Sequence, residues 1–247
     1  MMIKGNWEDA LKKGRNLKQA NGIGTYKEKI LHSTLKYYFE PDDSLHEIKI
    51  GRMVADICNE HGIIEIQTRS FNNLRKKLDL FLKDNTVTIV FPYAKTKWLT
   101  WLNPETGEVT KKRKSPKTGT YFEAFYELYK IKPYLSYPNI RFCFLGTEIE
   151  EIRVLNGWSY DKKRGSTRIE RYPLKLIDTL YIASLDDFTQ LIPSGMPSPF
   201  STSDYSKNAH VSQKIAGWAL NCLNSIGVIR RVGKKGNRIL YEINREL

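Results

Sequence analysis

The chain has 247 residues, a formal net charge of +13 and a pI near 9.5, with 40% hydrophobic residues and 14 tyrosines. That length can bury a core in one large domain or two smaller ones. No apolar run approaches the ~20 residues of a membrane span and no signal-peptide stretch opens the chain, so a cytoplasmic protein without a membrane partner is expected. Cys58, Cys143 and Cys222 are odd in number and far apart, which argues against a disulfide framework or a cysteine zinc site.

Residues 1–24 read as a basic leader with a short helix around Trp7 to Leu17. Thr25 and Glu28 have the spacing of a capping box, and the apolar residues Tyr26, Ile30, Leu31, Leu35 and Tyr38 predict a helix to about Phe39, stopped by Pro41. His46 to Ile50 and Met53 to Cys58 predict a hairpin turning at Gly51-Arg52, which sets Glu47 opposite Asp56 and Lys49 opposite Val54. Ile63 to Gln67 is a third strand. Ser70 caps a predicted helix with Phe71, Leu74, Leu78, Phe81 and Leu82 on one face, and Val87 to Phe91 before Pro92 is a fourth strand.

From Tyr93 to Gly119 the chain turns polar and basic, and a hairpin or loop insertion carrying Trp98 and Trp101 is expected. Tyr121 to Lys130 reads as a helix and Ile140 to Leu145 as a fifth strand; residues 147–182 are less legible, and Glu148 to Arg153 fit the start of a helix or a continuation of the sheet. After residue 182 the character changes. A helix from Leu185 to Ile192 and the Pro193 to Pro199 break precede a helix-turn-helix pattern, Ser203 to Asn208 and Gln213 to Ser225. Val228 to Val232 and Arg238 to Ile243 then form a hairpin with a basic tip, so a winged-helix domain is expected over 183–247.

Asp56 and Glu65 carry the chemistry. Each is an acid within an apolar strand, Met53-Val54-Ala55-Asp56-Ile57 and Gly62-Ile63-Ile64-Glu65-Ile66. Carboxylates are rarely buried unless paired, hydrogen-bonded or bound to metal, and two hard oxygen ligands on neighbouring strands suit a divalent cation used in phosphodiester hydrolysis. The plainer alternative is the solvent side of a half-buried sheet. His32, His46, His61 and His210 have no zinc-ligand spacing. Basic clusters at 111–114 and 162–164, and at Arg230, Arg231, Lys234, Lys235 and Arg238, lie near aromatic residues including Trp158, and together they point to a nucleic acid partner.

This order of elements, with Asp56 on the second strand and Glu65-Ile66-Gln67 ending the third, resembles the PD-(D/E)XK nuclease superfamily. The likeness covers about Thr25 to Phe91. It implies an α/β fold with a restriction-endonuclease-like core (αβββαβ, mixed central sheet) over 25–182, carrying a basic insertion near 93–119. It also implies a Mg²⁺- or Mn²⁺-dependent DNA endonuclease whose ligands are Asp56, Glu65 and the Ile66 carbonyl. Gln67 stands where the superfamily usually has lysine; some members carry Gln there. Lys49 is a candidate for the missing cation, and Glu28 and Glu47 for further membership of the site. Gln213, Lys214, Arg230, Arg231, Lys234, Lys235 and Arg238 are the expected contacts to duplex or branched DNA, with Tyr160, Trp98 and Trp101 available to stack on unpaired bases. A homodimer or a partner subunit is compatible with this reading. The alternative is a catalytically inactive DNA-binding protein, a regulator or assembly factor on the same fold, and a third option is a protein-interaction module.

Overall fold

The computed structural model describes residues 5–20, 30–68, 70–158 and 164–245. The first described helix, α1 (Trp7–Ala20), starts where Asn6 Oδ1 accepts the amides of Glu8 and Asp9 at 2.8 and 3.2 Å. Those two acids in its first turn suit the positive end of the helix dipole. It packs on α2 (Ile30–Phe39), and Gly14 permits the approach, because a Cβ there would lie 2.4 Å from Thr34 Oγ1 and 2.8 Å from the Thr34 amide nitrogen. Thr25 and Glu28, expected to open this second helix, lie outside the described residues.

The predicted hairpin forms from β1 (His46–Ile50) and β2 (Met53–Asn59), with Gly51 at φ 57 in the turn and Lys49 opposite Val54. Next come β3 (Gly62–Ile66), a 3₁₀ turn over Phe71–Leu74, α3 (Arg75–Phe81) and β4 (Val87–Leu102). Ser70 accepts from the Asn72 amide, as its capping role required. β3 is antiparallel to β2 but parallel to β4, since α3 forms the crossover between them.

β4 does not end before Pro92, as expected, but runs on to Leu102. Its pairing with β3 stops at Ile66 opposite Val90 and β5 joins only at Trp98, so at Pro92 this edge of β4 needs no ladder donor, and Pro92 is tolerated opposite Leu145 of the next strand. The polar insertion is a hairpin: β5 (Arg113–Lys114) folds back onto Trp98 and Leu99. The expected helix at Tyr121 breaks into a 3₁₀ turn, one turn of α4 (Phe125–Leu128) and a further 3₁₀ stretch containing Pro133. β6 (Ile140–Trp158) and β7 (Arg164–Ile182) follow as a long antiparallel ribbon, so Glu148 to Arg153 continue the sheet. The result is a mixed seven-stranded sheet in the order β1-β2-β3-β4-β6-β7, with β5 on β4.

After the sheet the expected helix over 185–192 is a 3₁₀ turn, Asp186–Leu191. β8 (Phe200–Ser201) leads into α5 (Thr202–Asn208), where Ser201 and Asp204 make a reciprocal capping box, and Ser212 caps α6 (Gln213–Ser225). β9 (Ile229–Lys235) and β10 (Arg238–Ile243) form the predicted hairpin, and β8 joins it as a third strand.

Helices cover both faces of the large sheet. On one face Leu31, Leu35 and Phe39 of α2 pack on Ile57, Ile64, Ile66, Val90, Cys143 and Leu145. On the other, Ile63, Val87, Ile89 and Phe142 meet Leu78, Phe81 and Phe125, and this core continues past residue 183 through Phe188 and Tyr205 to Leu220 and Tyr241. The cysteines are free thiols, Cys143 and Cys222 buried. Among the described residues no helix is long and apolar enough to cross a membrane.

Candidate active site

The β2–β3 ladder pairs Asn59 with Gly62, Cys58 with Ile63 and Ile57 with Ile64, and stops there. Beyond it the two acids replace the backbone pairing. Asp56 Oδ2 accepts the Ile66 amide at 2.7 Å, and the Asp56 amide donates to Glu65 Oε1 at 3.4 Å. The acids are thus interlocked where the strands part.

A nitrogen side chain approaches from each helix layer. His32 of α2 places Nε2 3.3 Å from Asp56 Oδ2. From α3, Lys77 Nζ bridges both Glu65 oxygens at 2.9 and 2.8 Å. The Glu65 side chain is fully buried, whereas Lys77 keeps 24% of its side-chain surface in solvent.

This environment drives the two carboxyls apart. Burial, then the neighbouring Asp56 charge, pushes Glu65 from its ordinary 4.5 up to about 7, against the pull of Lys77. Burial also works against the Asp56 charge. The hydrogen bond and charge of His32, the Ile66 amide and Lys77 outweigh it and hold Asp56 below its ordinary value. Adjacent carboxyls separated in this way are the pattern of acid and base roles.

The other expected members are distributed differently. Gln67 adjoins the pair, its amide nitrogen held by Val90 O at 2.9 Å, and among the described residues nothing engages its half-buried side chain. Lys49 is exposed opposite Val54, and among the described residues no ion pair joins it to either acid; the cation that reaches them is Lys77. Glu47, at φ 53, pairs with Lys36 at 2.8 Å. Glu28 lies outside the described residues.

Among the described residues no group of three or more His, Cys, Asp and Glu is placed to hold a metal ion. The set implied by the sequence is smaller, two carboxylates and the Ile66 carbonyl. Its donors are the hard oxygens that a divalent cation takes, while Lys77 Nζ lies on both Glu65 oxygens. Sequence reading missed Lys77 and His32. Lys77 left one signal, Arg75-Lys76-Lys77 in a first helical turn, where the helix dipole disfavours cations.

Gln213, Lys214, Arg230, Arg231, Lys234, Lys235 and Arg238 are all exposed. Arg230 lies 4.0 Å from Glu242. A cleft of about 440 Å³ between α5, α6 and the β9–β10 hairpin is lined by Ser201, Ser203, Gln213, Asn237 and Arg238. Trp98 donates from Nε1 to Glu148 at 2.5 Å, and Lys112 and Arg113 lie 5.2 and 5.5 Å from the Trp98 and Trp101 ring centres. Tyr160 lies outside the described residues, as do Lys162 and Lys163 of the second basic cluster.

Fold and site together define a mixed α/β protein with an interlocked acid pair, Glu65 buried and Asp56 part-buried, held by Lys77 and His32 at the point where two strands of its sheet separate. The chain belongs to the family described as "Domain of unknown function (DUF8091)", whose profile matches residues 29–183. That match spans the helix α2 to the end of β7 and leaves the C-terminal helices and hairpin outside it. An "Uncharacterized protein" of Treponema pallidum (strain Nichols) is 26% identical over 232 residues, covering 89% of this chain and 86% of its own. No solved structure matches.

Proposed function

We propose that the chain is a divalent-metal-dependent DNA endonuclease, with a restriction-endonuclease-like core and a C-terminal winged helix that holds DNA. The observation that carries this is the interlocked Asp56 and Glu65, with Lys77 on Glu65 and His32 on Asp56. Asp56, Glu65 and the Ile66 carbonyl would hold Mg²⁺ or Mn²⁺. When bound, such an ion polarises a phosphodiester and lowers the pKa of an attacking water.

Asp56 remains ionised, its orientation fixed by the Ile66 amide and His32. Lys77 supplies the positive charge that Gln67 lacks, from a helix instead of the strand, and lies where charge on a phosphoryl group is stabilised. Gln67 contributes a neutral donor and acceptor to orient water or phosphate. The exposed cations of α6 and the β9–β10 hairpin give phosphate contacts that fix register on DNA without reading sequence.

One observation favours a second reading, the inactive DNA-binding protein. Lys77 already occupies both Glu65 oxygens, so a lysine could permanently replace the metal. Incubating the full chain with supercoiled plasmid, branched DNA and single-stranded DNA in Mg²⁺ separates the two. The endonuclease reading expects strand scission that chelation stops and Asp56→Ala abolishes; binding with no scission of any substrate makes the inactive reading correct.

A further inference from the structure

Aromatic side chains and lysines gather on one surface where α4 meets α6. Tyr126 and Tyr129 are 48% and 41% exposed, and their ring centres lie 5.1 and 6.0 Å from that of Trp218. Each ring carries a cation: Lys130 Nζ is 4.1 Å from the Tyr126 centre, Lys132 is 5.7 Å from Tyr129, and Lys214 is 5.1 Å from Trp218. Three adjacent rings partly in water form an apolar patch that folding alone does not require.

The patch is tied to the segment that follows β3. Lys130 Nζ donates to Ser70 Oγ at 3.1 Å, and Glu127 Oε2 accepts the Phe71 amide at 2.7 Å. Ser70 follows Gln67 by three residues, at most ~10 Å of extended chain. Lys132 Nζ donates to Asn221 Oδ1 at 2.9 Å, which ties the same surface to α6.

Its chemistry favours bases over a protein partner. Exposed aromatic rings stack on any base, and interleaved lysines neutralise the phosphates between bases. Glu127 is 8% exposed and already paired with Lys130 at 2.8 Å, and Lys132 and the exposed Lys214 add positive charge beside the rings. A continuous duplex hides its base faces within the stack, so only unpaired bases can use the rings.

We propose that Tyr126, Tyr129 and Trp218, with Lys130, Lys132 and Lys214, form a stacking platform for unpaired bases, and that the substrate is DNA with a single-stranded segment beside the scissile phosphate. The position of a scissile phosphate rests on the endonuclease reading; the platform itself does not.

The test uses the full chain in chelator, with a labelled oligothymidylate and a duplex of equal length in fluorescence anisotropy. Tyr126→Leu/Tyr129→Leu keeps every lysine and removes two exposed rings. Single-strand affinity should fall at least about 5-fold, from ~1–3 kcal/mol per stacked base, while duplex affinity holds. On wild type itself, 2-aminopurine in the bound strand should lose fluorescence as it stacks, a readout independent of how the variant folds. Unchanged single-strand affinity in the variant, an equal loss on duplex, or unchanged 2-aminopurine fluorescence overturns the platform. Ring-dependent binding with no cleavage of any substrate upholds the platform and refutes the endonuclease reading. Cleavage without ring-dependent binding does the reverse.

Discussion

Glu65→Gln should make the metal-free protein more stable in mild alkali. The folded-state pKa of Glu65 is raised, to about 7 from an ordinary 4.5, so its ionisation opposes folding. The penalty is absent below 4.5, grows between 4.5 and 7, and is complete above 7. At 1.36 kcal/mol per pH unit, that interval amounts to about 3 kcal/mol. Glutamine is never ionised and avoids the penalty. It loses part of the Lys77 pairing, which Lys77 recovers by turning its partly exposed ammonium to water. The pull of Lys77 on the ionised carboxylate is already contained in the raised value of about 7, so comparing the variant's advantage at pH 5 and pH 8.5 reads the net penalty. Urea unfolding in chelator should show the advantage larger at pH 8.5 by about 2–3 kcal/mol. The same variant should lose metal-dependent cleavage. An advantage independent of pH would refute the reasoning, because the carboxylate would then not be destabilised by its surroundings.

Lys77→Met strands a buried carboxylate, a change worth roughly 3–5 kcal/mol when one partner of a buried pair is removed. Cleavage should fall by about 10²- to 10³-fold, with partial recovery in Lys77→Met/Gln67→Lys, whose new lysine returns the charge to the strand; nicking rates measure both, and an unaffected Lys77→Met removes Lys77 from the site. Replacing Lys234, Lys235 and Arg238 by alanine should weaken duplex binding and flatten log affinity against log salt by roughly 0.9 for each phosphate that the variant no longer neutralises. An unchanged salt slope would turn the C-terminal helices and hairpin toward a protein partner. Gly14→Ala drives a Cβ into Thr34, 2.8 Å from its amide nitrogen, and should cost about 1–3 kcal/mol in urea unfolding; a neutral substitution would mean that α1 and α2 separate easily.

The first three strands and the start of the fourth were legible because turn residues and apolar runs agree there: Gly51-Arg52 set the hairpin, and β3 is apolar apart from Glu65. The long strands β6 and β7 were not. Past the core they form a two-sided ribbon whose charges satisfy one another, as where Glu151 meets Arg153 at 2.6 Å and Arg168 at 3.8 Å, and this blurs the alternation that marks a strand. Pro92 hid the continuation of β4, since its tolerance depends on where β3 ends, a fact of pairing absent from local sequence. At the site, Asp56 and Glu65 stood out as charges in apolar runs. Lys77 and His32 did not, because helix packing brings them in from twelve residues after Glu65 and twenty-four before Asp56. Lys49 was favoured by strand register alone, and an exposed face left it without the acids.

Titrating Mn²⁺ into the full-length protein at pH 7.5, and counting bound ions by the loss of the free-ion paramagnetic resonance signal, tests the Asp56–Glu65 pair most directly. One ion per wild-type chain is expected, with affinity rising through pH 7 as Glu65 gives up its proton, and none at that site in Asp56→Ala. Equal Mn²⁺ binding by wild type and Asp56→Ala, or none by wild type across pH 6 to 8.5, would contradict the account.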